Sequence, residues 1–340
     1  MESCFVILIC RKKNQPFFMK ILVFGAGVIG TTYAWQLWEA GNDVSLLVRK
    51  QRMVRYSNSG ISITCTDLRR KEKEYKKTVF RPKIVDRLEI KDGYELIIVS
   101  TKNFQLNDAI PYIAKYAGNA RILILGHLWN EFELLRKHFT QNPIFVAFPS
   151  MALGSQTIAG INCYLFGNGN TLICNPEGKS GNELNEITGV LKGAGLQPRL
   201  MQTLEPWIRG HFIWQAATLV PLIKAGSFRL FAENKKLIVQ SVLAVKEGLR
   251  VARKNNLKVD GNLPFWLFRL PAFAIAYFLK RSYTPTIQAA MEARFRHGLD
   301  EIKTQLLVLT SLGRKTGEKM PYLESFEKYL PEGEKKYLQQ

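Results

Sequence analysis

Residues 24–50 read FGAGVIGTTYAWQLWEAGNDVSLLVRK. Gly25, Gly27 and Gly30 stand in G-x-G-x-x-G spacing, and the stretch closes on Arg49-Lys50. Just upstream, residues 20–24 (KILVF) form a short apolar run with no polar face, which suits a central parallel strand covered on both sides. Downstream, apolar residues recur at Ile29, Tyr33, Leu37 and Ala40 with helical spacing, and Gly41-Asn42 is a helix stop signal. Residues 43–48 (DVSLLV) then read as a second strand. The glycines therefore fall between a strand and a helix inside a βαβ unit, the context in which this motif predicts a dinucleotide-phosphate loop. Gly25 permits the tight turn, Gly27 lets backbone approach a pyrophosphate, and Gly30 allows close helix–strand packing. Val28 and Ile29 open the helix, whose free N–H groups and positive dipole end face the anion.

The end of the second strand selects the nucleotide. An NAD site places Asp or Glu there to accept from the ribose 2′-OH. Here Val48 holds that place, followed by Arg49, Lys50 and Arg52. A carboxylate repels a 2′-phosphate, whereas a guanidinium binds it in bidentate fashion. The expected cofactor is NADP(H), against the plainer reading of these charges as a solvated loop in a basic protein.

With 340 residues the chain is long enough for two domains with real cores, and its 46% hydrophobic content is that of a globular protein. Cys4, Cys10, Cys65, Cys163 and Cys174 show no C-x-x-C pair or His-rich metal spacing; they read as reduced thiols of a cytoplasmic protein, and no metal site is expected. The net charge of +20 draws anionic cofactors and acids, and polyanions non-specifically. Part of it lies in LRRKEKEYKK (68–77), which reads as a solvated loop or strand edge. No basic helix interleaved with aromatics stands out, so no specific nucleic-acid partner is expected. The apolar run at 5–10 is too short for a signal core or a membrane span, and residues 1–18 read as an N-terminal extension.

A strand is expected at 60–65 in an excursion between the second and the later core strands, and further core strands at 95–100, 120–125 and 143–148, alternating with helical stretches, hence a doubly wound parallel sheet. After about residue 200 the patterns at 208–222, 234–255 and 285–312 are long and helical, with no convincing strand. The expected division is a dinucleotide-binding domain over 19–190 and a helical substrate and dimerisation domain over 200–335.

From Met19 to about Leu330 the chain resembles the ketopantoate reductase (2-dehydropantoate 2-reductase) family. The resemblance rests on MKILVFGAGVIG (19–30), on VSTKNFQLNDAI (99–110), where Lys102 and Gln105 match a V-K-x-[WFY]-Q segment, and on KKLIVQSVLAVKEGLRVARKNNLKV (235–259) and AMEARFRHGLDEIK (290–303). It implies an α/β plus all-α architecture: an N-terminal Rossmann domain and a C-terminal helical domain like that of 6-phosphogluconate dehydrogenase. It also implies a reductase of a small anionic carbonyl substrate, a 2-keto acid, and a homodimer through the helical domain. An NADP(H)-binding regulatory protein of the same fold, without turnover, is the alternative.

The chemistry asks for a cation or hydroxyl donors for the substrate carboxylate and a proton donor for the carbonyl oxygen. The family supplies a lysine in a W-x-K-L-x-x-N segment, an asparagine in an N-G-[LM]-G turn and a glutamate in a T-E-I-D segment. Aligning Trp214 with the family tryptophan puts Ala216 at the lysine place and Val220 at the segment's asparagine; Gly126 falls at the turn asparagine, within LGHLWNE (125–131). Glu301 matches the glutamate. The catalytic candidates are therefore Lys102, His127, Glu301 and Lys224, with Arg209 and His211 one turn before Ala216 as further groups near the cleft. The cofactor candidates are Gly25, Gly27, Val28, Ile29, Gly30, Arg49, Lys50, Lys102 and Gln105. The stretch LPFWLFRLPAFAIAYFLKR (263–281) reads as helical core or subunit interface, with an amphipathic membrane-surface segment as the rival.

Overall fold

The computed structural model describes residues 18–126, 128–129, 131–178, 181–261, 265–284, 287–288, 291–292 and 299–330. The opening stretch folds as a βαβ unit of β1 (Lys20–Phe24), α1 (Val28–Glu39) and β2 (Asp43–Leu47), with β1 and β2 parallel and Phe24 opposite Leu47. On its other side β1 pairs in parallel with β6 (Leu96–Val99), which pairs with β7 (Arg121–Leu125), which pairs with β8 (Ile144–Pro149). Three short strands complete the sheet: β5 (Lys83–Val85), β11 (Thr171–Cys174) and β12 (Pro198–Leu200). The order is β12-β11-β8-β7-β6-β1-β2-β5, parallel except where β11 runs against β8. Its last strand lies beyond residue 190, so the α/β unit continues to residue 200.

Period-two alternation sends β1 side chains to two different cores. Ile21 and Val23 face α1 and α5 (Asn182–Gly193), while Leu22 faces α3 (Leu106–Tyr116) and α4 (Phe132–His138). The helix α2 (Lys50–Ser59) follows β2. From β2 the chain visits a side excursion and then crosses β1 to reach β6. The strand order thus reverses between β1 and β6, where a crevice opens outside the strand C-termini.

The excursion is a second sheet of β3 (Ile61–Leu68), β4 (Glu74–Phe80), β9 (Ala152–Gln156) and β10 (Gly160–Phe166), in the order β4-β3-β10-β9. Part of the basic run at 68–77 is its edge strand β4; Arg69 is bound instead to Asp67, whose carboxyl it holds below the usual range against the opposing effect of burial. The pairing of β3 with β10 joins segments far apart in sequence, and at Gly160 a Cβ would sit 1.9 Å from the Ser62 carbonyl oxygen. Cys65 and Cys163 are register neighbours on these strands, and both are buried free thiols, as is Cys174.

The helical unit starts with α6 (Glu205–Ala225), which packs with α8 (Lys235–Lys254) and α10 (Leu299–Lys315) around Ile213, Ala216, Val220, Val245, Leu306 and Leu309. The shorter α7 (Phe228–Glu233), α9 (Ala272–Ser282) and α11 (Pro321–Glu327) close this core. Of the 263–281 stretch, Phe268, Ile275 and Ala276 are buried in it, whereas Trp266, Phe273, Tyr277 and Phe278 are exposed. The stretch is core on one face and apolar surface on the other. Among the described residues no helix is long and apolar enough to cross a membrane.

Candidate active site

Register decides what meets at the crevice. Phe24 lies opposite both Leu47 and Val99, and Val99 lies opposite Ile124. The segments after β1, β2, β6 and β7 therefore leave the sheet at one edge, bringing out the glycine loop, Arg49-Lys50, Ser100–Lys102 and Gly126 side by side.

Each loop glycine has a distinct role. Gly25 has a φ of +117°, and a Cβ there would lie 2.5 Å from the Ser100 carbonyl oxygen. At Gly30 a Cβ would lie 2.0 Å from the Gly25 carbonyl oxygen, so α1 could not approach the loop. Gly27 differs. Its φ of −78° and ψ of −176° suit any residue, and a Cβ there meets nothing within 4 Å. Its conformation does not need glycine; the space in front of it does. Gly27 caps α1 without a side-chain cap, leaving the first-turn N–H groups turned to that space. Gln156 of β9 braces the loop by donating its Nε2–H to the Ala26 carbonyl at 3.1 Å.

A cavity of about 390 Å³ opens from this loop toward the helical unit. Gly27, Val28 and Ile29 line one end, Thr101, Lys102 and Gly126 the sheet side, and His211, Trp214, Gln215, Thr218 and Glu301 the helical side. Thr101 Oγ1 is buried there with no hydrogen-bond partner among the described residues, a polar atom that a bound group would satisfy. Open space before Gly27, free helix N–H groups, an orphaned hydroxyl and exposed cations at Arg49 and Lys50 fit a dinucleotide phosphate chain.

The cleft brings some of the predicted residues together and leaves others out. Gly27, Val28, Ile29, Lys102 and Glu301 line it; Gly25 and Gly30 lie behind it as packing glycines. Arg49 and Lys50 begin α2 at the same edge as the glycine loop. Gln105 points inward, its Oε1 accepting from the Lys102 N–H at 3.2 Å, so it shapes the lysine's turn. The Lys102 ammonium stands 5.5 Å over the Phe104 ring. Lys224 lies outside the cleft: it is exposed, with its Nζ 5.0 Å from the centre of the Tyr329 ring, whose hydroxyl it draws below the usual tyrosine range. Arg209 also lies outside it, paired with Glu205 one turn back on α6. His127 falls outside the described residues.

The structure also reorients α6. Pro206 in its first turn and Gly226 at its C-cap, with φ +80°, bound the helix. Its cleft face is His211, Trp214, Gln215, Thr218 and Leu219. Ala216 and Val220 are 0% exposed and belong to the core against α8 and α10, so the two positions aligned with the family lysine and asparagine do not face the cleft. Gln215 is the residue that sequence reasoning missed. It is 5% exposed, lines the cleft, and accepts at its Oε1 from Gln305 Nε2 of α10 at 2.9 Å. Nothing in the sequence separates these faces, because α6 is buried almost all round.

Comparison with known proteins agrees with this geometry. Residues 21–176 match the family model "Ketopantoate reductase PanE/ApbA". The 2-dehydropantoate 2-reductase of Pyrococcus abyssi is 24% identical over 253 residues, 71% of this chain and 76% of that protein, so the likeness extends past residue 176. Among solved structures, a ternary complex of D-mandelate dehydrogenase with NADH and anilino(oxo)acetate superposes with a TM-score of 0.71 at 17% identity, covering 92% of this chain and 97% of that one. The 2-dehydropantoate 2-reductase of Methylococcus capsulatus superposes with a TM-score of 0.63 at 17% identity, covering 91% and 94%. At such identities the structural likeness establishes the fold: a Rossmann sheet joined to a helical domain.

Proposed function

We propose that this chain, whose residues 21–176 match the ketopantoate reductase family model, is an NADPH-dependent oxidoreductase that reduces a 2-keto acid or a related small carbonyl compound to the alcohol. The observation that carries this reading is the cleft itself, which runs from the open space before Gly27, past Lys102 on its sheet side, to His211 and Glu301 on its helical side. When bound, the reduced nicotinamide supplies the hydride. The chain's own groups do the rest. The α1 N-terminus and the loop backbone hold the pyrophosphate, Arg49 and Lys50 hold the 2′-phosphate, and Lys102 attracts the substrate carboxylate. Phe148, Trp214 and Met291 exclude water from the reacting end.

The test is an NADPH oxidation screen across 2-keto acids and aldehydes, run beside direct NADPH titration. We expect turnover with a keto acid bearing a bulky apolar substituent, and ketopantoate poorer by about tenfold or more, because the cleft walls are aromatic and aliphatic. NADPH binding without turnover of any carbonyl would move the reading to a regulatory nucleotide-binding protein. Efficient ketopantoate turnover would overturn the substrate preference.

Cofactor choice has its own test. Arg49→Glu removes a charge-assisted partner of the 2′-phosphate and sets a carboxylate beside it. Such hydrogen bonds contribute about 1.5–3 kcal/mol, so NADPH should bind about 10- to 100-fold more weakly, with NADH little changed. Fluorescence titration of both cofactors checks this, and an equal loss for the two would remove Arg49 from the phosphate site.

A further inference from the structure

We propose that His211 is the proton donor to the substrate carbonyl oxygen, with Gln215, one turn further along α6, donating a hydrogen bond to the same oxygen; the proposal rests on the reductase reading above. Among the described residues the ionisable side chains that line the cleft are Lys102, His211 and Glu301. They come from three elements and are suited to different tasks. Lys102 stands at the sheet edge beside the glycine loop, a compact cation for a carboxylate. Glu301, as a carboxylate, is an acceptor. His211 is the group whose ordinary chemistry is proton transfer near neutral pH.

The ring of His211 is held for that task. It stacks on Trp207 at 5.2 Å between centroids with 8° between planes, and meets Phe148 edge-on at 4.6 Å and 61°. Phe148 is the last residue but one of β8 and itself lines the cleft, so the imidazole is wedged where the sheet meets α6, with its plane fixed by two aromatic walls. Gln215 is fixed from the opposite side. Gln305, fully buried, donates to its carbonyl, so what Gln215 offers the cleft is its NH₂. A histidine and an amide four residues apart on one helical face thus supply an acid and an N–H donor to one small volume.

The step balances. As hydride reaches the carbonyl carbon, the C=O π pair moves onto oxygen, and oxygen takes the proton from the His211 imidazolium. The carbonyl is reduced to a hydroxyl, the dihydronicotinamide is oxidised, and the neutral imidazole regains a proton from water. The sign of the pH dependence follows: reduction needs the protonated ring, so kcat/KM falls as pH rises through the titration of His211.

The test uses the full chain, NADPH and two readouts. His211→Asn should lower kcat by about 10²–10⁴-fold and abolish that falling limb, while NADPH affinity stays within about twofold. The second readout needs no turnover. The chain has four histidines, so the His211 ring signal is assigned as the one missing from the His211→Asn proton NMR spectrum. Oxamate, an unreactive 2-keto acid mimic, added to the NADP⁺ complex should shift the titration midpoint of that signal upward. If oxamate binds and the signal does not move, or if His211→Asn keeps both rate and pH profile, His211 is not the donor. A failure of the reductase reading looks different, since neither NADPH nor oxamate would then bind the unaltered chain. Gln215→Leu, which keeps the helix apolar, should lower kcat about 10²-fold or more and leave the falling limb in place; an unchanged kcat would remove Gln215 from the carbonyl.

Discussion

Gly27→Val is expected to abolish cofactor binding in a protein that folds as well as the unaltered chain. The backbone at Gly27 is extended, with φ −78° and ψ −176°, a conformation that valine favours, and the added Cβ meets no protein atom within 4 Å. Replacing glycine where the backbone is already compatible narrows the unfolded ensemble, an effect of about 0.4–1 kcal/mol in favour of the fold. The side chain instead enters the space where a pyrophosphate would meet the α1 N-terminus. NADPH affinity should fall by at least about 100-fold, with the melting temperature unchanged or slightly raised. Gly30→Val is the contrast, because its Cβ would stand 2.0 Å from the Gly25 carbonyl oxygen and the βαβ unit would have to open. Calorimetric titration and thermal melts of the two variants separate the roles. Normal NADPH binding by folded Gly27→Val would end the nucleotide assignment.

Ala216→Lys is expected to wreck the helical unit without raising turnover. Aligned by Trp214, this change would restore the family lysine. The structure places Ala216 at 0% exposure among Ile213, Val245 and Leu309, on the side of α6 turned from the cleft. A lysine there is an uncompensated buried charge, a fault that costs about 3–5 kcal/mol, and the extra methylenes overpack the core by about 1–3 kcal/mol. Against a total stability of about 5–15 kcal/mol, the melting temperature should drop by on the order of 10 °C or more, with much of the protein insoluble. A stable Ala216→Lys variant with faster keto-acid reduction would show that position 216 faces the cleft after all.

The two variants mark where sequence reading succeeds and where it stops. The βαβ unit is local: one apolar run, three glycines, one amphipathic helix and a second strand follow each other within thirty residues, and the roles of Gly25, Gly27 and Gly30 follow from spacing alone. The change from alternating strands to long helices near residue 200 is likewise visible in period and run length, as are the basic residues closing β2. Of the second sheet only β3 was legible, as a strand in an excursion from the core sheet; its pairing was not, because β3 finds β10 across about a hundred residues of chain. Nor was the face of α6. Apolar core lies on one side and a largely apolar cleft on the other, so the hydrophobic pattern has no direction, and an alignment by one tryptophan carried the family lysine and asparagine places to Ala216 and Val220, on the core side of the helix. Sequence determined the glycine loop, because the strand, the three glycines and the helix that build it lie within one short segment. Only tertiary packing decided the reacting groups, because their positions depend on how α6 rotates against β8 and α10, and that rotation is the sum of contacts from distant parts of the chain.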